Sequence, residues 1–210
     1  MITVIHYTAN NEEDFFEQKT REKLTEAIGD LPLISISHKP IDFGHNICVG
    51  DIGISDENIL KQLLIGCELA DTPLVAIAES DGLYPPTGYF DFRPDDINAV
   101  YRYTNLWIMQ YGWGHYRRKK FSICAQVSGR KYLIERLKLT LGPPLILRKD
   151  IVNTKTGWRP FESSIPCLNI KTGHSQRSKT GTIRGMSPEL SLPHWGKATD
   201  LEKELKGINA

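Results

Sequence analysis

The stretch Asp71-Thr72-Pro73-Leu74-Val75-Ala76-Ile77-Ala78-Glu79-Ser80-Asp81-Gly82 decides how the chain folds. Residues 73–78 form a near-continuous apolar run rather than an alternating one, the mark of a strand buried on both faces of a parallel sheet. The run ends in two carboxylates one residue apart, on a turn loosened by Gly82. In open α/β sheets the carboxyl edge of such a strand is where ligands bind. Uncompensated charge at a buried strand end is costly, so packing preference alone does not place Glu79 and Asp81 there. Carboxylates so spaced can hold a hard divalent cation through oxygen, with a substrate diphosphate supplying further ligands.

The residues before it read as alternating strands and helices. Ile2-Thr3-Val4-Ile5-His6-Tyr7 is β-branched and aromatic, a first strand that ends at Thr8-Ala9-Asn10. Asn11 is placed to cap a helix whose acidic start, Glu12, Glu13 and Asp14, suits the positive end of its dipole. Phe16, Leu24 and Ile28 share one face of that helix, and Gly29 ends it. Leu33-Ile34-Ser35-Ile36-Ser37 is a second strand, followed by a loop containing Val49-Gly50-Asp51-Ile52-Gly53. Ser55 or Asp56 opens a second helix with Ile59, Leu60, Leu63, Leu64 and Cys67 as its apolar stripe. This order predicts an α/β fold, a Rossmann-type mixed sheet flanked by helices.

Beyond residue 98 the character changes. Short strands are expected near residues 100–103, 107–110, 115–116 and 121–127, partly antiparallel. A helix with Leu133, Ile134, Leu137 and Leu141 on one face follows, stopped by Gly142-Pro143-Pro144. Residues 142–195 read as loop-rich, apart from a strand at Pro166-Cys167-Leu168-Asn169-Ile170. Thr199-Asp200-Leu201-Glu202 reads as a capping box opening a final helix with Leu201, Leu205 and Ile208 inward. One domain is expected, divided into residues 1–98, residues 99–184 and a tail at 185–210.

Composition sets the class. With 40% hydrophobic and 24% charged residues, the chain of 210 is an ordinary globular sequence. Its longest apolar runs are about five residues, where roughly 18 to 20 are needed to cross a bilayer. The opening Met1–Ile5 lacks a signal peptide's basic start and apolar core, so a cytoplasmic protein is expected. Cys48, Cys67, Cys124 and Cys167 lie far apart and read as buried free thiols. The net charge of +1 conceals a division: residues 1–114 carry 7 Lys and Arg against 18 Asp and Glu, and residues 115–184 carry 16 against 3. The basic segment is expected to face something anionic.

A nucleotide-type first strand, a helix, then an apolar strand ending in acid-x-acid before Leu83-Tyr84-Pro85-Pro86 resembles small glycosyltransferases of the GT-A fold, similar to family 2. The likeness covers roughly residues 1–175 and departs in having Glu79 where the family has a first Asp. It implies a nucleotide-sugar donor, with a UDP-sugar favoured, and Mn²⁺ or Mg²⁺ held by Asp81 and Glu79, with a late His, here His174, completing the metal site. Residues 1–98 would then be the nucleotide-sugar-binding half, with Thr8, Ala9, Asn10 and Asp51 meeting the nucleotide, and residues 99–184 the acceptor-binding half. Lys171, with Arg177 and Lys179, would neutralise the leaving diphosphate. An inverting reaction also needs a carboxylate to take the acceptor proton, with Glu162 first and Asp150 second among the few acids of the basic segment.

Trp107, Tyr111, Trp113, His115 and Tyr116 precede Arg117-Arg118-Lys119-Lys120. Aromatic residues beside a basic run suit a stacking platform next to a phosphate track. Trp113, Arg117, Arg118, Lys119 and Lys120 are the expected acceptor contacts. The short, anchorless chain resembles phage enzymes that glycosylate hydroxymethylated pyrimidines in DNA. A cell-surface glycan or lipid-linked sugar is the other acceptor, and a non-catalytic nucleic-acid-binding α/β protein the other class. His38, Asp42 and His45 match no standard ligand spacing and are expected to be structural or on the surface. Neither a P-loop nor a nucleophile elbow is present.

Overall fold

The computed structural model describes residues 1–142, 157–174 and 186–208. The first half runs β1 (Ile2–Thr8), α1 (Asp14–Ile28), β2 (Leu33–Ser37), β3 (His45–Cys48), α2 (Asp56–Leu69) and β4 (Leu74–Glu79). All four strands are parallel, in the order β3-β2-β1-β4. β4 is buried along Leu74–Ala78, and successive side chains enter two different cores. Leu74, Ala76 and Ala78 join Val4, Leu24 and Ile28 on one face. Val75 and Ile77 join Ile5, Leu63 and Cys67 on the other. That two-sided burial is why the run is continuously apolar. A leucine so enclosed contributes about 1.5–3 kcal/mol.

α2 lies close on the sheet because Gly66 leaves room for it: a Cβ there would overlap the Ile5 side chain. Its start is as expected, with Ser55 Oγ accepting from Asn58 N at 3.1 Å. Two helix caps differ from the sequence expectation. Glu13, not Asn11, precedes α1, with no side-chain cap, because the Asn11 amide donates to the His174 carbonyl at 2.8 Å. The Thr199 capping box does not form either, since the last helix already begins at Ala198.

The remaining elements are β5 (Gly82–Leu83), β6 (Val100–Tyr103), β7 (Leu106–Gln110), β8 (Tyr116–Lys119), β9 (Gln126–Gly129), α3 (Arg130–Leu141), β10 (Trp158–Phe161), β11 (Cys167–Lys171), β12 (Ser191–Leu192), β13 (Gly196–Lys197) and α4 (Ala198–Leu205). β9 lies antiparallel beside β4, with β6 and β10 beyond, giving one seven-stranded mixed sheet that both halves of the chain share. A second sheet, β5-β11-β7-β8, rises from the end of β4. Leu201 and Leu205 of α4 are buried against it, whereas Ile208 is 55% exposed. Cys67, Cys124 and Cys167 are buried free thiols; Cys48 is exposed at the sheet edge, contrary to expectation. Among the described residues no helix is long and apolar enough to cross a membrane.

Candidate active site

A cleft of about 210 Å³ opens where β1 and β4 end, between the first turn of α2 and the second sheet. It lies where the connections from β1 and β4 diverge, the usual ligand crevice of such sheets. Thr8 and Ala9 line one side of it. The loop is fixed from below: Thr8 Oγ1 donates to Glu17 at 3.1 Å and accepts from Asn10 N at 2.9 Å. Gln62 of α2, fully buried, donates to the Thr8 and Ile36 carbonyls at 2.9 and 3.2 Å and so locks the ends of β1 and β2 together. Asn10, in the left-handed region at φ 49°, turns inward to Glu17 and Lys39 N and does not line the cleft.

Beside Thr8 and Ala9, at the end of the neighbouring strand, lie Glu79, Ser80 and Asp81, with Ser80 N donating to the Tyr7 carbonyl at 3.2 Å. The turn is held by Tyr84, whose hydroxyl accepts from Glu79 N and donates to the Cys124 carbonyl, both at 2.7 Å. Gly82 is required there, since a Cβ would come within 2.5 Å of the Tyr84 hydroxyl. Asp81 is 5% exposed. Its Oδ1 accepts from Asn169 Nδ2 at 2.7 Å and its Oδ2 from Lys171 Nζ at 2.8 Å. Lys119 also lines the cleft and donates to Asn169 Oδ1 at 3.4 Å.

These groups set one another's charge. Burial, then the Asp81 charge, pushes the Glu79 carboxyl up to about 7, against the pull of Lys171, Lys119 and the Tyr7 hydroxyl. Burial alone would depress the Lys171 ammonium; Asp81 and Glu79 outweigh it and hold it above the usual lysine value. Glu12, which also lines the cleft, is raised by burial although Thr172 hydrogen-bonds to it.

The donor set fits a substrate-bridged cation. Mg²⁺ bound with a diphosphate takes only one or two protein carboxylates and fills its octahedron from phosphate and water. Asp81 and Glu79 would be those two, and the Lys171 ammonium against Asp81 is itself a cation stabilised at that spot. His174 does not join them: its side chain is exposed, and among the described residues no three His, Cys, Asp or Glu side chains converge on a metal-sized site. Its place beside Asp81 is taken by Asn169 and Lys171.

Other expected residues lie elsewhere. Glu162 is 60% exposed, bound to Thr104 Oγ1 at 2.9 Å and to Arg118 at 3.5 Å, and does not line the cleft. The described carboxylates within reach of a substrate there are Glu12, Asp56, Glu79 and Asp81. Asp150, Arg177 and Lys179 lie outside the described residues. Asp51, 91% exposed, accepts from Gly53 N and faces His38. The basic run divides by strand alternation. Lys119 enters the cleft, and Arg118 lies over Trp107 and pairs with Glu162. Arg117 stacks on Trp113, which stacks in turn on His115, and Lys120 is exposed. Trp107 and Tyr116 are core residues.

Sequence reading missed Glu12, Gln62, Asn169 and the cleft position of Lys119. Gln62 carried a signal, a polar residue set inside the Leu60–Leu63 stripe. Asn169 and Lys171 sit two apart on one strand, which places them on one face.

No protein-family model matches the sequence, and no curated protein matches it. Among solved structures the chain is similar to a glycosyltransferase involved in the glycosylation of the major capsid of PBCV-1, at 8% identity over 98% of each chain with a TM-score of 0.50. It is also similar to the bifunctional IspDF from Campylobacter jejuni, at 11% identity over 87% of this chain and 52% of that one, TM-score 0.42. A third likeness is to a mannosyltransferase from Pyrobaculum calidifontis, solved with GDP-Man and Mn²⁺, at 14% identity over 84% of this chain and 58% of that one, TM-score 0.44. The first likeness, spanning nearly the whole of both chains, bears on architecture: the mixed sheet flanked by helices is a fold of GT-A type.

Proposed function

We propose that the chain transfers a sugar from a nucleotide-sugar donor, favoured as a UDP-sugar, to an acceptor hydroxyl. One observation carries the reading: Asp81 and Glu79 face Lys171 and Lys119 in a cleft at the carboxyl ends of β1 and β4. Two anions and two cations in one crevice suit a ligand that is itself a bridged diphosphate. The nucleoside end rests along Thr8 and Ala9, with Asn10 shaping that loop from beneath. Breaking the sugar–phosphate bond leaves charge on the diphosphate, which Lys171 and Lys119 meet as it develops. A divalent cation bound by Asp81 and Glu79 would neutralise the same oxygens as a Lewis acid.

The favoured acceptor is a hydroxymethylated pyrimidine in DNA, supported by the basic balance of residues 115–184 and by the exposed Arg117 and Lys120. A glycan or lipid-linked sugar is the second reading. It is favoured by the commitment of Arg118 and Lys119 to the protein's own contacts, which leaves little of the run for a phosphate track, and by the Trp113–His115 stack, a surface that suits a sugar ring.

The test is release of nucleoside diphosphate from a panel of nucleotide sugars with Mn²⁺, offered hydroxymethylated DNA, plain DNA or a glycan. Acceptor-dependent release from one donor is expected. Absence of release with every donor and acceptor, while DNA still binds, would favour a non-catalytic nucleic-acid-binding protein.

A further inference from the structure

Both oxygens of Asp81 are answered from one strand. Asn169 and Lys171 stand two apart on β11, and β11 is registered on the acid turn itself: Asn169 pairs with Gly82, and Ile170 N donates to the Asp81 carbonyl at 2.8 Å. The side chains of the Asp81–Lys171 pair are only 8% and 11% exposed. A divalent cation and this ammonium compete for the same Oδ2 atom. Lysine is a compact charge on a flexible four-carbon stem, able to redirect its donors without moving the backbone. Diphosphate oxygens brought into the cleft would offer it a new anionic partner.

We propose that Lys171 is an exchangeable internal cation. It holds Asp81 while the cleft is empty, excludes bare divalent cations, and passes from Asp81 to the diphosphate when cation and diphosphate enter together. The proposal rests on the donor reading above. It makes Lys171 a positioning residue with opposite effects on two ligands: removing its charge frees Asp81 for a bare cation but removes a contact from the diphosphate. A purely structural ion pair has no such sign reversal, because its loss would free Asp81 for Mn²⁺ without taking any contact from the diphosphate.

The experiment is calorimetric titration of the full chain with Mn²⁺ alone and with Mn²⁺ plus pyrophosphate, a probe that needs no base pocket. Lys171→Met keeps the stem and removes the charge. Charge-assisted hydrogen bonds of this type correspond to roughly tenfold or more in an equilibrium constant. Lys171→Met should therefore bind Mn²⁺ alone about tenfold tighter than wild type and pyrophosphate–Mn²⁺ about tenfold weaker. Lys171→Arg, which keeps a cation, should show no gain for Mn²⁺ alone. Mn²⁺ affinity in Lys171→Met equal to or below wild type overturns the exchange. Should Lys171→Met fail to fold, Lys171→Gln serves, and the wild-type chain gives its own answer: saturating pyrophosphate must tighten Mn²⁺, and equal affinity with and without it overturns the exchange. UDP in place of pyrophosphate separates the two readings, since failure of every nucleoside diphosphate to bind, with the Mn²⁺ gain intact, would refute the donor reading alone.

Discussion

Tyr84→Phe tests whether the acid turn is held as described. The substitution removes one oxygen from a residue 3% exposed and leaves the ring's packing on Tyr89 and Phe90 in place. Two backbone groups lose their partner at once: Glu79 N–H and the Cys124 carbonyl, each 2.7 Å from that oxygen. A buried polar group left unsatisfied costs about 1–3 kcal/mol, so the pair should cost about 2–4 kcal/mol. For a chain of this length a loss of that size lowers Tm by on the order of 10 °C. The hydroxyl is also the only atom lost between the acid turn and Cys124, so Glu79 should be held less firmly and Mn²⁺-dependent nucleotide binding should weaken with it. Thermal melting followed by far-UV circular dichroism reads the first effect, and calorimetry with UDP and Mn²⁺ reads the second. A Tm within about 2 °C of wild type together with unchanged binding would refute this account of the turn.

Glu79, raised from the usual 4.5 to about 7, gives a pH dependence of definite sign. Between those values the folded chain holds a proton that the unfolded chain has released, so this group's contribution to stability falls as pH rises from about 4.5 to 7. Cation binding needs the carboxylate and should strengthen across the same window. Urea midpoints at pH 5 and pH 8 should differ less in Glu79→Gln than in wild type; equal pH slopes would count against it. Glu162→Gln should leave turnover near wild type and cost at most about 1 kcal/mol from its exposed pair with Arg118, and a hundredfold loss of turnover would restore it as the base. On duplex DNA, wild-type binding should weaken with salt at about −0.9 per neutralised phosphate, and replacing Arg117 and Lys120 with Ala should flatten that slope. Salt-insensitive binding in a filter assay would move the acceptor to a glycan or lipid-linked sugar.

β1, β2, β4 and β6 of the central sheet were legible because their signal is local, whereas β10 (Trp158–Phe161) lies in a stretch that read as loop. β4 reads as buried on both faces from its residues alone, and β2 and β6 appear over the residues expected. The position of Asp81 at the cleft was legible for the same reason, since a carboxylate at the end of such a run conflicts with packing. What failed depended on distant partners. Asn11 has the chemistry of a helix cap, but a carbonyl from residue 174 uses its amide. His174 has the chemistry of a metal ligand, yet the strand just before it delivers Asn169 and Lys171 to Asp81 instead. Strand β3, with half-exposed residues His45–Cys48, has no hydrophobic run to announce it and exists because β2 offers it an edge. The basic run looked uniform in sequence, but strand alternation sends Lys119 into the cleft and Arg118 to the opposite side.

Binding of UDP to wild type and Asp81→Asn, each with and without Mn²⁺, shows whether Asp81 couples a divalent cation to the nucleotide. Titrations belong at low temperature with circular dichroism confirming the fold, because the variant leaves Lys171 without its countercharge. Wild type should bind UDP with Mn²⁺ far more tightly than without it, and Asp81→Asn should lose this enhancement while remaining folded. UDP binding that is indifferent to Mn²⁺ in the wild type, or an enhancement that survives in folded Asp81→Asn, would contradict that coupling.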